Sequence, residues 1–275
     1  RRFQMSSLGR LQMGACPPSR RRVPFHFSSQ NNPSVYFMSA SSTPQPAAQS
    51  SERRRYAIVG LGSRHELYQD GIEKTHAANA QLVGLCDVNA GRVELARRRS
   101  AKNGATIPPG YLAAAFGRML TETRPDTVIV TTVDATHHDY LIRAMEAGCD
   151  VITEKPMTTD AETCRRVLAT QRRTGRSCRV TFNYRYAPPR SQVKDLLMSG
   201  AIGDVLSVDF HWLLNTHHGA DYFRRWHSKK ENSGGLFVHK STHHFDLVNW
   251  WLGAMPVSVM ATGKREFYTA ATARR

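Results

Sequence analysis

Short apolar runs alternate with longer mixed segments from about residue 55 onward. YAIVGLG (56–62) is apolar and ends in glycines. A polar, helix-like segment carries on from it to about Ala80. QLVGLCDVN (81–89) is a second apolar run and contains Asp87 near its end. NAGRVELARRRSAKNG reads as a helix, with Asn89 as its cap and Gly104 as its stop. TVIVT (127–131) predicts a third buried strand, and HHDYLIRAMEAG a helix that ends at Gly148. DVITEKP (150–156) is the next strand, and TDAETCRRVLATQRRTG the next helix, capped by Thr159 or Asp160. CRVTFNYR (178–185) reads as one more strand. Strands that alternate with helices of roughly 10–15 residues predict an α/β fold: a doubly wound parallel sheet covered on both faces.

The pattern changes beyond residue 177. VLSVDFHWLL (205–214) alternates as a strand of an open sheet does. SGGLFVHKSTHHFDLVNWW (233–251) predicts a single helix. Leu236, His243, Leu247, Trp250 and Trp251 recur near one face at a period of about 3.6, and His239 and His243 sit four apart on a shared face. Histidines on an apolar face have three readings: metal ligands, catalytic groups or core histidines. H-x-x-x-H is a zinc spacing, but no Glu intervenes and no third ligand is evident, so no metal is expected.

Charge refines the boundaries. The net charge is +16, of which residues 1–55 carry +8 through nine Arg against Glu52, and residues 261–275 carry +3. The remaining +5 is too little for a basic face, so no nucleic-acid partner is expected. Residues 1–52 are rich in Arg, Ser, Pro and Gln, as in a disordered tail or a mitochondrial presequence. Pro17 and Pro18 interrupt any amphipathic helix there, and Met38 opens a stretch resembling a natural start. The expectation is therefore a cytoplasmic protein, mitochondrial only if residues 1–50 are a genuine presequence. Cys16, Cys86, Cys149, Cys164 and Cys178 form no C-x-x-C pair. An odd count without a signal-peptide pattern points to reduced thiols. No apolar run approaches the roughly 18 residues of a membrane helix. EFYTAATARR ends without a closing element, so the chain reads as a piece of a longer one.

Gly60-Leu61-Gly62-Ser63-Arg64-His65 follows the first strand and opens the first helix, the context a dinucleotide fingerprint requires. Gly60 permits the turn, and Gly62 lets backbone approach a pyrophosphate at the helix N-terminus. His65 stands where a third glycine is usual. Asp87 lies 25 residues after Gly62, where a carboxylate accepts hydrogen bonds from an adenosine ribose. It would repel a 2′-phosphate, so NAD is expected over NADP, with Arg92 as a softening influence.

Glu154-Lys155-Pro156 ends a strand, where ligands sit in open α/β sheets. VIVTTVDATHHDYLIRAMEAGCDVITEKPMTTDAET resembles the Gfo/Idh/MocA family of sugar and polyol oxidoreductases. The likeness runs from about residue 55 to the end, through VTFNYRYAPP and SGAIGDVLSVDFHW. It implies a Rossmann domain over 53–176, followed over 177–275 by an incomplete α+β domain with an open, mostly antiparallel sheet. It places Lys155 beside the nicotinamide and the reacting hydroxyl, with Glu154 next to it. Thr131, Thr132 and His137 match the segment beneath the cofactor, Thr132 standing where Pro is usual. A second signature falls on Ser233, Gly234, Gly235, His239, Ser241, His243 and Asp246. The acid–base histidine then falls on His243, while His239 replaces an Asp and Ser241 a Gly. Lys155, His239 and His243, with Lys240 alongside, form the implied catalytic group. A lysine can act as a base if burial and nearby cations lower its pKa. Tyr222 and Trp226 can stack on a sugar ring, and Arg224 and Arg225 can bind hydroxyls or a carboxylate. Asn183 and Arg185 face the site by resemblance. The implied function is NAD-dependent oxidation or reduction of a sugar, polyol or related carbinol by a homo-oligomer. A glycosidase-like lyase using transient oxidation and a non-catalytic nucleotide-sensing regulator are the alternatives.

Overall fold

The computed structural model describes residues 53–264 and 268–272. β1 (Arg54–Val59) shows why the sheet needs cover on both sides. Ala57 and Val59 enter one core, with Val128, Val130, Phe116, Met119, Leu141 and Met145. Ile58 enters the other, with Leu82, Leu85, Val93 and Ile129. Alternate residues of a strand point to opposite faces, so a run that is apolar at every position must be buried twice.

The first half is β1, α1 (His65–Asp70), β2 (Ala80–Asp87), α2 (Ala90–Lys102), β3 (Gly110–Leu112), α3 (Phe116–Thr123), β4 (Thr127–Val130), α4 (His137–Glu146), β5 (Asp150–Thr153), α5 (Ala161–Thr174) and β6 (Cys178–Val180). All six strands pair in parallel, in the order β3-β2-β1-β4-β5-β6. This is the doubly wound sheet the pattern predicted. Asn89 caps α2, accepting from the N–H groups of Gly91 and Arg92 at 2.8 and 3.3 Å. Asp160, not Thr159, caps α5, accepting from Thr163 N–H at 2.8 Å. β3 and α3 escaped the sequence reading, because β3 is three residues long and buries only Tyr111.

The predicted strands run on too far at their carboxyl ends. Residues 60–62, 131, 154–156 and 181–185 are turns and loops, and Asn183–Tyr186 forms a 3-10 turn. The register explains why these ends matter. Val59 lies opposite Val130, and Val130 opposite Thr153. Gly60, Thr131 and Glu154 therefore leave the sheet side by side.

After β6 come α6 (Pro188–Met198), α7 (Thr216–Arg224), α8 (Lys230–Ser233), α9 (Leu236–His239) and α10 (Thr242–Leu252). Two expectations change here. Residues 205–214 form no strand, and no antiparallel pairing occurs among the described residues. The alternation is real but is used for packing. Trp212 stacks on Tyr184 and leans on His244, with centroids 5.4 and 4.8 Å apart, while Leu213 faces outward at 97% exposure. A strand needs a neighbour to take its backbone hydrogen bonds, and none of the described segments lies alongside.

The single helix over 236–251 is also corrected: it breaks at Lys240–Ser241 into α9 and α10. Ser241 N–H reaches back to the Leu236 carbonyl, and His243 N–H to that of Lys240. The side chains at the break are tied to different places, His239 to Asp134 and Lys240 to Tyr184. His239 and His243 consequently do not share a helix face. α6 holds α10 in place: Lys194 Nζ donates to the carbonyls of Trp250 and Trp251 at 2.7 and 3.2 Å, a cation at a helix C-terminus.

Candidate functional site

A cavity of about 650 Å³ opens at the carboxyl ends of β1, β2, β4 and β5, where the strand order switches direction. At one end are Gly60, Gly62, Ser63, Arg64, Asp87 and Arg92. Thr131, Thr132 and Asp134 follow, then Glu154 and Lys155. Tyr222, Arg225, Trp226, His227 and His239 close the far end.

The glycines are needed for two different reasons. Gly60 has φ +92°, and a Cβ there would lie 2.5 Å from the Thr132 nitrogen. The first turn and the loop after β4 touch, which no side chain allows. A Cβ on Gly62 would meet nothing within 4 Å, so its backbone is bare towards the cavity. Asp87 is 4% exposed and ties the turn down. The Leu61 and Asn89 N–H groups donate to its two carboxylate oxygens at 2.5 and 2.8 Å. Thr131 Oγ1 donates to the Gly60 carbonyl at 2.5 Å.

His65 and His137 lie behind this wall rather than on it. His65 Nδ1 bonds the Gly62 carbonyl, and its ring is buried under the turn. His137, fully buried, bridges the carbonyls of Pro156 and Thr132 at 2.9 and 3.2 Å. Burial holds its pKa below the ordinary histidine value despite Asp134 and the two carbonyls. A neutral ring donates to one of those carbonyls at a time. Both histidines clasp loops that shape the cavity.

Lys155 projects into the cavity, and its Nζ donates to the His239 carbonyl at 2.9 Å. Burial lowers its pKa, with Lys240 and Arg64 adding to the effect against Asp134 and Glu154. Glu154 accepts from Tyr68 Oη at 2.9 Å and pairs with Arg64 at 3.2 Å. Burial and that carboxylate push the Tyr68 phenol well above its usual range.

Of the expected histidines, only His239 borders the cavity. Its Nδ1 lies 2.5 Å from Asp134 Oδ2, and both side chains are buried. Tyr222, Trp226 and His227 surround the ring, with centroids at 5.4, 5.5 and 4.9 Å. His243 is instead stacked on Tyr184 at 4.0 Å, and its Nδ1 is buried without a hydrogen-bond partner. Burial first, then Lys155 and Lys240, pull its pKa down to about 3. Lys240 donates to Tyr184 Oη at 2.7 Å and lies outside the lining.

Tyr222 and Trp226 line the cavity. Arg225 does so where Arg224 does not; Arg224 is exposed. Asn183 is exposed and outside the lining. Arg185 is held bidentate by Asp246, through Nε at 2.8 Å and through Nη2. Asp134 and His227 were missed by the sequence reading. The signal for Asp134 was present: a carboxylate in the loop at a strand's carboxyl end. Among the described residues, no group of three His, Cys, Asp or Glu is placed to hold a metal ion. No helix among them is long and apolar enough to cross a membrane.

Comparison with known proteins identifies the family. The oxidoreductase family's NAD-binding Rossmann fold matches residues 54–182, and the family's C-terminal alpha/beta domain matches residues 194–273. The chain belongs to the Gfo/Idh/MocA family. The Bacillus subtilis protein YteT is 39% identical over 216 residues, covering 78% of this chain and 50% of YteT. The scyllo-inositol 2-dehydrogenase (NAD(+)) of the same organism is 29% identical over 211 residues, 76% of this chain and 57% of the relative. The WlbA dehydrogenase of Bordetella pertussis, solved with NADH and UDP-GlcNAcA, superposes with a TM-score of 0.62 at 25% identity, covering 73% of this chain and 59% of that one. The chain thus spans about half the length of the curated relatives it matches.

Proposed function

We propose that this protein is an NAD-dependent oxidoreductase acting on the CH–OH group of a sugar, polyol or related small molecule. One observation carries the reading: a single cavity is lined by a glycine turn, a ribose-type carboxylate and Lys155. The residues present fit a dinucleotide. Gly62 offers bare backbone for a pyrophosphate, and Asp87 keeps acceptor capacity on the wall after its two backbone bonds. Asp87 favours NAD over NADP by its charge. When bound, NAD supplies the acceptor for the hydrogen and electron pair of the carbinol C–H bond.

The chain's own groups do the rest. Lys155 Nζ holds the hydroxyl oxygen, as a donor when charged and an acceptor when neutral. Its lowered pKa makes both forms accessible nearer neutrality. Tyr222 and Trp226 offer aromatic faces for a ring with axial C–H groups, and Arg225 a planar donor. Residues 53–176 hold the cofactor in this reading, and residues 177–275 close the substrate end. The dehydrogenases named above act on or bind substrates of this kind. Exposed Leu206, Leu213, Val257 and Met260 support a homo-oligomer in the whole protein.

The test is calorimetric titration of the full chain with NAD and NADP, followed by NADH absorbance with scyllo-inositol and D-glucosides. Selective NAD binding with turnover of any of these carbinols is expected. A folded sample that binds neither nucleotide overturns the reading.

A further inference from the structure

The sequence offers two histidines for the hydroxyl proton, and the structure separates them. His243 lies under Tyr184, with planes within 8° of parallel, and is absent from the cavity wall. A base whose pKa is about 3 gives little driving force for accepting a proton near neutral pH. His239 is on the wall, and Asp134 bonds its Nδ1 at 2.5 Å. With Asp134 ionised, Nδ1 is the protonated nitrogen and the basic lone pair sits on Nε2. That tautomer follows from the hydrogen-bond network. The carboxylate also balances the imidazolium that forms when Nε2 is protonated.

Asp134 comes from the loop after β4. Lys155, from the end of β5, meets the His239 carbonyl rather than its ring. Tyr222 and His227 face it from the segment after α6, and Lys240 follows it in the chain. Among the described residues, Asp134 supplies the negative charge bonded to the ring.

We infer that His239 is the group that receives the hydroxyl proton and that Asp134 is its positioning residue. This rests on the oxidoreductase reading. The O–H bond breaks and its electron pair forms the carbonyl. The proton goes to His239 Nε2, while the C–H hydrogen leaves with its pair to the nicotinamide. Lys155 steadies the oxygen throughout, and its anchor is a backbone carbonyl, so replacing the His239 side chain leaves that anchor in place.

The experiment uses the full chain as His239→Ala and Asp134→Asn, with NAD and either scyllo-inositol or a D-glucoside. Two readouts are followed: NADH formation with and without added imidazole, and proton NMR of nitrogen-15 histidine-labelled protein. His239→Ala is expected to lower kcat by about 10²–10⁴-fold while NAD still binds. Imidazole should restore activity in proportion to its unprotonated fraction, which a merely structural role would not produce. Asp134→Asn should lower kcat with little change in KM, because the ring loses the carboxylate that fixes its tautomer and balances the imidazolium. The wild type should show one strongly deshielded Nδ1 proton that Asp134→Asn abolishes. Wild-type kcat in His239→Ala, a loss that imidazole leaves untouched in NAD-binding protein, or absence of the deshielded proton each overturns the inference. If the deshielded proton is present but the NAD-loaded wild type oxidises none of these carbinols, the oxidoreductase reading fails, and the proton-acceptor role falls with it.

Discussion

Replacing Asp87 with alanine tests two roles of one carboxylate. The first is mechanical. Asp87 is 4% exposed and accepts from Leu61 and Asn89 N–H at 2.5 and 2.8 Å. Hydrogen bonds to a charged group contribute about 1.5–3 kcal/mol each. Asn89 is exposed and can turn to water, but Leu61 is 3% exposed and its N–H is orphaned. The expected loss is therefore about 2–4 kcal/mol, nearer one full bond than two. At about 2–4 °C per kcal/mol for a domain of this size, Tm should fall by on the order of 10 °C. The second role is electrostatic. A carboxylate some 4 Å from a 2′-phosphate costs about 1 kcal/mol in water and about 4 kcal/mol near a protein surface. Its removal should shift the NAD to NADP affinity ratio by about tenfold or more towards NADP. Thermal unfolding reads the first role and calorimetric titration with both nucleotides reads the second. An unchanged Tm would refute the anchoring of the turn, and an unchanged nucleotide preference would refute the ribose role.

Lys155→Ala should bind NAD normally and lose carbinol oxidation by about 10²-fold or more; retained turnover would remove Lys155 from the chemistry. Gly60→Ala places a methyl 2.5 Å from the Thr132 nitrogen at φ +92°, so it should cost at least about 1–3 kcal/mol from the backbone conformation alone and abolish NAD binding. Wild-type binding in this variant would contradict the close approach of the two loops. His243 is held neutral down to about 3 by burial and the cations Lys155 and Lys240. Its folded pKa lies below the unfolded value, so the unfolded chain binds more protons once the pH drops below about 6.5. Stability should decline from there towards pH 3, by up to about 1.4 kcal/mol per pH unit for this one group. His243→Phe, which keeps a ring against Tyr184, should flatten the fall of Tm between pH 7 and pH 5; an unchanged slope would show that His243 is charged when folded.

Much of the glycine-turn end of the cavity was legible in the amino-acid order alone. Strands apolar at every position must be covered on both faces, and an alternation of such strands with amphipathic helices leaves few folds besides a doubly wound sheet. The glycine turn, Asp87 and the E-K-P triplet are read locally, because each lies at the end of its own strand. What order alone cannot supply is which strand ends meet. The pairing of Val59 with Val130 and of Val130 with Thr153 brings Gly60, Thr131 and Lys155 to one cavity, and it admits Asp134, which has no motif of its own. The end of the cavity lined by Tyr222, Trp226 and His239 was less legible still. Periodicity placed His239 and His243 on one helix face, yet the helix breaks between them, where His239 bonds Asp134 and Lys240 bonds Tyr184, and His243 stacks on Tyr184 in different surroundings. The alternation of 205–214 likewise described which residues face inward without saying whether a neighbour takes the backbone hydrogen bonds. Local pattern reports the free energy of burying a face, whereas the partner that buries it is chosen by contacts between residues far apart in the chain.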